Sequence, residues 1–248
     1  MKEDPSGVFS KERNRGNRMA DIGNRIITKI ERADKETVEK FRNIPSSNIG
    51  DMMNRLYCMR ENITRIGQHK KQLLGTAFTV KVPDGDNVFI HKALDMIEPG
   101  DVLVIDGNGC TSRSLMGEIM FTYATNKGCA GIIVDGAIRD SDALDDLDIP
   151  VYAIAVTPQG PYKNGPGEIN VPVSCGGQVV FPGDILAGDA DGVCVIRKEE
   201  AYKILDDVEK KFAGEQVLLE KYHTTGNDTE NHIATYQKIT DALKTTVY

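Results

Sequence analysis

The feature that most narrows the fold is an alternation in the middle of the chain. Three short apolar runs, VLVIDG (102–107), AGIIVDG (130–136) and VYAIAVT (151–157), are bounded by turn residues. Runs that are apolar at nearly every position belong to strands covered on both faces, as in parallel sheets. Between the first two lies SLMGEIMFTYATNKG (114–128), whose apolar residues keep helical spacing and whose Gly128 can end a helix. A shorter helical stretch, Ser141 to Leu147, precedes the third run. Parallel strands need a crossover between them, so the pattern reads β-α-β-α-β.

The flanks extend this core. LLGTAFTVKV (73–82) alternates and is β-branched, so a strand is expected there, followed by a helix from Asn87 to Met96. Further upstream, 34–44 reads as a helix capped by Asp34 and stopped by Pro45, and 46–57 as a second helix with Ser47 or Asn48 as its cap. Downstream, 160–196 is punctuated by Gly165-Pro166-Gly167, Cys175-Gly176-Gly177, Pro182-Gly183-Asp184 and Asp189 to Gly192, which predicts antiparallel β structure with tight turns. Residues 198–221 form a charged amphipathic helix. The tail 222–248 is polar and helical in part, and 1–20 has few apolar residues and reads as a disordered leader. No linker interrupts 21–221, which is expected to be one α/β domain.

Composition excludes several classes. A chain of 248 residues buries enough surface to need no disulfide. Its five cysteines are odd in number and lack CxxC spacing, so free thiols in a reducing cytoplasm are expected. A net charge of −7 disfavours nucleic acid. The one basic cluster, Lys11, Arg13, Arg15 and Arg18, is read as part of the leader, with RNA contact as the alternative. No run is apolar enough to span a membrane, and no secretory signal is evident.

Candidate chemistry gathers at two places. Gly117-Glu118-Ile119-Met120 follows the strand ending at Asp106-Gly107, where open α/β sheets bind ligands. If the helix starts near Gly117 rather than Ser114, its first N–H groups can hold a carboxylate. The plainer alternative is a glycine packed inside a helix beside a solvated Glu118. Arg139-Asp140, after the second buried strand, offers a fixed cation and one hard oxygen ligand, which suffices for Mg²⁺ with its retained waters. The plainer alternative is Asp140 as a helix N-cap. His91-Lys92 with Asp95 one turn on is a third candidate, against a structural histidine. The other histidines, His69, His223 and His232, show no zinc spacing. Asp189 and Asp191 suit a cation or, more simply, a turn. No Walker, GxSxG or GxGxxG pattern stands in context.

Together, GTAFTVKVPDGDNVFIHKALDMIEPGDVLVIDGNG (75–109), GEIM (117–120), KGCAGIIVDGAIRD (127–140) and GPYKNGPGEINVPVSCGGQVVFPGDILAGDADGVCVI (160–196) resemble the RraA-like family over roughly 44–215. That family includes 4-hydroxy-4-methyl-2-oxoglutarate aldolases and oxaloacetate decarboxylases. Its pattern of an acidic residue, a gap of twenty and Arg-Asp is matched by Glu118, the interval 119–138, Arg139 and Asp140. The resemblance implies a compact single α/β domain with layered β/β/α architecture, assembling as a homotrimer or dimer of trimers.

The resemblance also implies roles. Gly117, Glu118, Ile119 and Met120 would contact substrate, partly through backbone N–H groups. Arg139 would bind the 2-oxo acid part, and Asp140 would ligate Mg²⁺ or Mn²⁺. The implied activity is a divalent-metal-dependent carbon–carbon lyase, an aldolase or decarboxylase releasing pyruvate from a 2-oxo diacid through an enolate, with Glu118 as candidate base. Some family aldolases carry Asp at the position of Glu118 and borrow a C-terminal acidic residue from a neighbouring subunit, for which Glu209, Glu215 and Glu220 are candidates. The rival reading is a protein-binding regulator of an RNA-degrading endonuclease. A methyltransferase ranks behind both, for want of a glycine-rich nucleotide loop.

Overall fold

The computed structural model describes residues 22–68 and 70–243, so the expected leader lies outside the described residues. Four parallel strands form its centre: β2 (Leu73–Lys81), β3 (Asp101–Met116), β4 (Gly131–Ile138) and β5 (Val151–Val156). Antiparallel β1 (Thr64–Ile66) borders β5, while β6 (Glu168–Ile169) and β9 (Ile185–Gly188) both pair with β2. β10 (Val193–Ile196) closes the far edge against β9. The hairpin β7 (Val173–Cys175) and β8 (Gln178–Val180) forms a second, small sheet. The helices are α1 (Lys35–Glu39), α2 (Ser46–Met52), α3 (Val88–Met96), α4 (Glu118–Asn126), α5 (Ala201–Thr225) and α6 (Thr229–Ala242).

Alternate residues of the buried strands serve two faces, as strand geometry requires. Leu103, Ile105, Ile132 and Val134 pack against Ile90 and Leu94 of α3 and Phe121 of α4. Val102, Val104 and Ile133 point the other way, onto Val173, Cys175 and Val180 of the small hairpin. The result is the expected layering of hairpin, sheet and helices. A third cluster packs α1, α2 and α5 against Ile185, Ala187, Cys194 and Ile196 of the β9–β10 edge. Two aspartates paired within β3 and β4 hold the hairpin down: Ser174 N–H donates to Asp106 at 3.3 Å and Gly176 N–H to Asp135 at 3.0 Å.

Several expected boundaries move. The helix expected over 114–128 starts at Glu118, because Ser114 and Met116 pair with Ala137 and Ile138 and so extend β3. Asp34 does cap α1, accepting from Thr37 N–H at 2.9 Å, but α1 stops at Glu39. α2 stops at Met52, since Asn54 and Arg55 adopt left-handed conformations. Its cap is neither Ser47 nor Asn48. Asp189 reaches across from the β9–β10 turn and accepts from both Ser46 N–H and Ser46 Oγ at 2.7 Å. Ser141 to Asp146 is a 3-10 turn, and α6 lies within the tail expected to be partly helical.

Candidate active site

The two candidate motifs meet. Adjacent parallel strands β3 and β4 end side by side, and Arg139 N–H donates to Met116 O at 3.0 Å, which locks Gly117 beside Arg139. Gly117 is the N-cap of α4 and has extended backbone that any residue can adopt. Its glycine identity is a matter of space: a Cβ there would lie 2.5 Å from Asp140 Oδ2 and 2.9 Å from Arg139 Nε. The missing side chain of Gly117 is therefore the room in which the Arg-Asp pair sits.

Asp140 adopts the left-handed conformation, with φ 56° and ψ 41°. Outside glycine this region costs about 1 kcal/mol, least for Asp and Asn. The turn swings its carboxylate back over α4. Asp140 holds the N-cap position of the 3-10 turn but makes no side-chain cap there. It caps α4 instead, accepting from Glu118 N–H at 3.1 Å, where the helix dipole favours an anion. Arg139 Nε stands 3.4 Å from Asp140 Oδ2, and both side chains remain 43% exposed, so the pair faces solvent. Met120 N–H is taken by Gly117 O at 2.9 Å. Within the described residues, the N–H groups of Gly117 and Ile119 at this corner have no hydrogen-bond partner.

A loop over 159–165 leans on this corner. Ser114 N–H and Oγ donate to Gln159 O at 2.8 and 3.0 Å, and Arg113 Nη1 donates to Gly160 O at 2.9 Å. A Cβ on Gly160 would meet Arg139 Nη1 at 3.3 Å, so the guanidinium lies beneath this loop. The loop's far end is held by Asp86, which is buried and accepts from Val88, Asn164 and Gly165 N–H groups. Next to it, buried Asn87 donates to Leu115 O at 3.0 Å, immediately before the β3–α4 junction, and its Oδ1 has no partner. These supports were missed in the sequence. The signal that could have found them is the Asp86-Asn87 pair opening a helix, which reads locally as no more than a turn.

His91, Lys92, Asp95, Ile119, Met120 and Tyr123 line a crevice of about 400 Å³ between α3 and α4. His91 thus shares this crevice with Ile119 and Met120 of the tetrapeptide. Burial, aided by the nearby charge of Lys163, lowers its pKa and favours the neutral ring, against a weaker pull from Asp95. Ile119 is 84% exposed whereas Met120 is buried, so the tetrapeptide splits between surface and core. Asp189 and Asp191 stay in their turn, Asp191 N–H donating to Asp189 at 3.0 Å. Glu215 is tied to Asn48 at 2.7 Å and Lys211 at 2.8 Å on the α2–α5 contact.

No group of three or more His, Cys, Asp or Glu side chains suited to a metal occurs among the described residues. The open carboxylate of Asp140 is the candidate donor at this corner. Asp140 Oδ2 is shared with Glu118 N–H and Arg139, while no hydrogen bond engages Oδ1. A single exposed carboxylate oxygen fits Mg²⁺ or Mn²⁺, which keep most of their waters.

The chain is similar to known proteins in sequence and in fold. Residues 46–195 match the RraA-like family, described as Aldolase/RraA. A Halalkalibacterium halodurans protein named "Putative 4-hydroxy-4-methyl-2-oxoglutarate aldolase" is 38% identical over 187 residues, covering 75% of this chain and 89% of that one. An Arabidopsis thaliana protein named "Putative 4-hydroxy-4-methyl-2-oxoglutarate aldolase 3" is 37% identical over 137 residues, covering 55% of this chain and 82% of its own. Among solved structures, Streptomyces coelicolor RraAS2, described as an unusual member of the RNase ES inhibitor RraA protein family, superposes with a TM-score of 0.69 at 28% identity. It covers 76% of this chain and 98% of its own.

Proposed function

This chain belongs to the RraA-like family, and from that premise we propose that it is a divalent-metal-dependent lyase that cleaves the C3–C4 bond of a 2-oxo diacid to release pyruvate. The observation that carries the reading is the convergence at Gly117: an open carboxylate, a guanidinium and unpartnered helix N–H groups share one corner that tolerates no side chain. The aldolase names of the relatives point the same way.

Asp140 would hold the cation, which when bound supplies Lewis-acid polarisation of the 2-oxo group. The remaining work falls to the chain. Arg139 pairs with the substrate carboxylate as a planar fork and opposes the negative charge that grows on the pyruvate half as the bond breaks. The Ile119 N–H, at the positive end of α4, orients the same carboxylate. In a 4-hydroxy-4-methyl-2-oxoglutarate-type cleavage, Glu118 accepts the C4 hydroxyl proton as the C3–C4 electron pair moves onto the pyruvate fragment. In oxaloacetate decarboxylation the leaving group is carbon dioxide and no such base is needed. Ile119 and Tyr123 expose apolar surface at the mouth, which supports a subunit seated there in a homotrimer or dimer of trimers.

The test is pyruvate release from oxaloacetate and from 4-hydroxy-4-methyl-2-oxoglutarate, with Mg²⁺, with EDTA, and with Asp140→Ala. Metal-dependent release lost in the variant supports the lyase, and the substrate ratio separates aldolase from decarboxylase. No release above the metal-only blank from either substrate would refute both named activities. The regulator reading is favoured by the likeness to RraAS2, and under it Asp140→Ala leaves endonuclease binding intact.

A further inference from the structure

Two cysteines distant in sequence meet at the β10 edge of the sheet, with β9, β2 and β3 between them and the β4 end that carries Arg139. Cys58 and Cys194 face each other across an antiparallel bridge. Met59 N–H donates to Val193 O at 2.8 Å and Val195 N–H to Tyr57 O at 2.9 Å. The cysteines thus occupy the non-hydrogen-bonded position, where opposed Cα atoms approach to about 4.5 Å. That lies inside the roughly 4.4–6.8 Å window a disulfide spans. Their Sγ atoms are already 3.6 Å apart.

A second observation explains an oddity of α2. Gly50 sits inside this helix, where glycine is unfavourable. A Cβ there would lie 2.8 Å from Cys58 Sγ and 3.6 Å from Cys194 Sγ. Gly50 leaves the space that the sulfur pair fills. The two thiols also differ in access. Cys58 is exposed, while Cys194 is buried with its Sγ 3.2 Å from Ser46 O as donor.

We propose that Cys58 and Cys194 form a reversible thiol–disulfide pair, with Cys58 the attacking thiol, Cys194 the resolving thiol and a low-molecular-weight disulfide as oxidant. The Cys58 thiolate attacks one sulfur of the small disulfide and expels the first small thiolate. Cys194 then loses its proton, attacks Cys58 Sγ and expels the second. Two protein thiols and one small disulfide become one protein disulfide and two small thiols, so the small disulfide takes up both electrons. The bridge joins positions 136 apart and ties the 57–59 segment to β10. Closing so long a loop restricts the unfolded chain strongly.

The experiment is incubation of the full chain with oxidised glutathione, then thiol titration in denaturant, non-reducing peptide mapping and thermal melting. The expected result is loss of two of the five thiols, an intrachain Cys58–Cys194 peptide, and a Tm raised by roughly 5–10 °C, all reversed by dithiothreitol. Cys194→Ser stops at a mixed disulfide on Cys58. Cys110→Ser, which removes a different partly accessible thiol, behaves as wild type. The proposal is overturned if wild type also stops at the mixed disulfide, if the bridge joins two chains or involves Cys110, or if oxidation lowers the Tm. None of these readouts depends on lyase activity.

Discussion

Gly117→Ala isolates the proposed site from the rest of the fold. The backbone at 117 is extended, at φ −150° and ψ −175°, so alanine brings no backbone strain. The whole effect is steric: the new methyl stands 2.5 Å from Asp140 Oδ2, 2.9 Å from Arg139 Nε and 3.0 Å from Arg139 Cγ. Ordinary contact needs about 3.5 Å, so the carboxylate and guanidinium must retreat by roughly 1 Å. A displacement of that size at reacting groups costs about 100-fold in rate. Moving Asp140 also breaks its bond from Glu118 N–H, a charge-assisted contact of about 1.5–3 kcal/mol when desolvated. This carboxylate is 43% exposed, so water recovers part of that energy and the stability loss stays near 1 kcal/mol, about 2–4 °C in Tm. The assay pairs initial rates of pyruvate release with Mn²⁺ affinity by electron paramagnetic resonance and with a melting curve. The expected pattern is activity down about 100-fold, weakened Mn²⁺ binding and a nearly unchanged melt. Activity and Mn²⁺ affinity both within about twofold of wild type would refute the claim that Gly117 makes room for the Arg-Asp pair, since 1 Å at this corner should cost far more.

Four further outcomes follow from the same geometry. Glu118→Gln impairs aldol cleavage more than decarboxylation, because only the former needs a proton taken from a hydroxyl; equal losses in paired assays contradict its role as base. Arg139→Lys loses the planar fork and lowers kcat/KM about 100-fold on either substrate, about 2.7 kcal/mol of transition-state binding. Asp86→Ala leaves three N–H groups facing a void and destabilises by about 3 kcal/mol, read as a Tm drop of roughly 6–12 °C. For Glu168, the hydrogen bond from Arg25 holds the carboxyl below its usual 4.5. A depressed acid stabilises the fold above its unfolded pKa and loses that contribution as pH falls. Glu168→Gln therefore melts below wild type at neutral pH and converges with it in acid, and a pH-independent gap would show that the charge is not the cause.

Much of the fold is legible in the sequence because burial patterns are local. The runs at 102–107, 130–136 and 151–157 are apolar at nearly every position, and each falls, to within one residue, on a central parallel strand whose buried residues serve both faces of the sheet. Asp34 caps α1 because its acceptor needs only the amide three residues on. SLM at 114–116 reads as the start of a helix yet belongs to β3, because so short a segment fits either period. Its pairing with Ala137 and Ile138 is a long-range choice that the segment does not encode alone.

The site divides along the same line. Glu118, Arg139 and Asp140 stand out in the sequence by type and spacing, and that Gly117 begins a helix was one of two open readings. What only the tertiary structure decides is the direction of the Asp140 side chain. A left-handed turn aims it away from its own 3-10 turn and onto α4, which joins two motifs into one corner. The Asp86 clamp, the Asn87 support and the meeting of Cys58 with Cys194 were invisible for the same reason. Periodicity reports which face of a segment is buried. It carries no record of which distant atom will lie against that face, and that is set only when strand order and register bring the ends of the chain together.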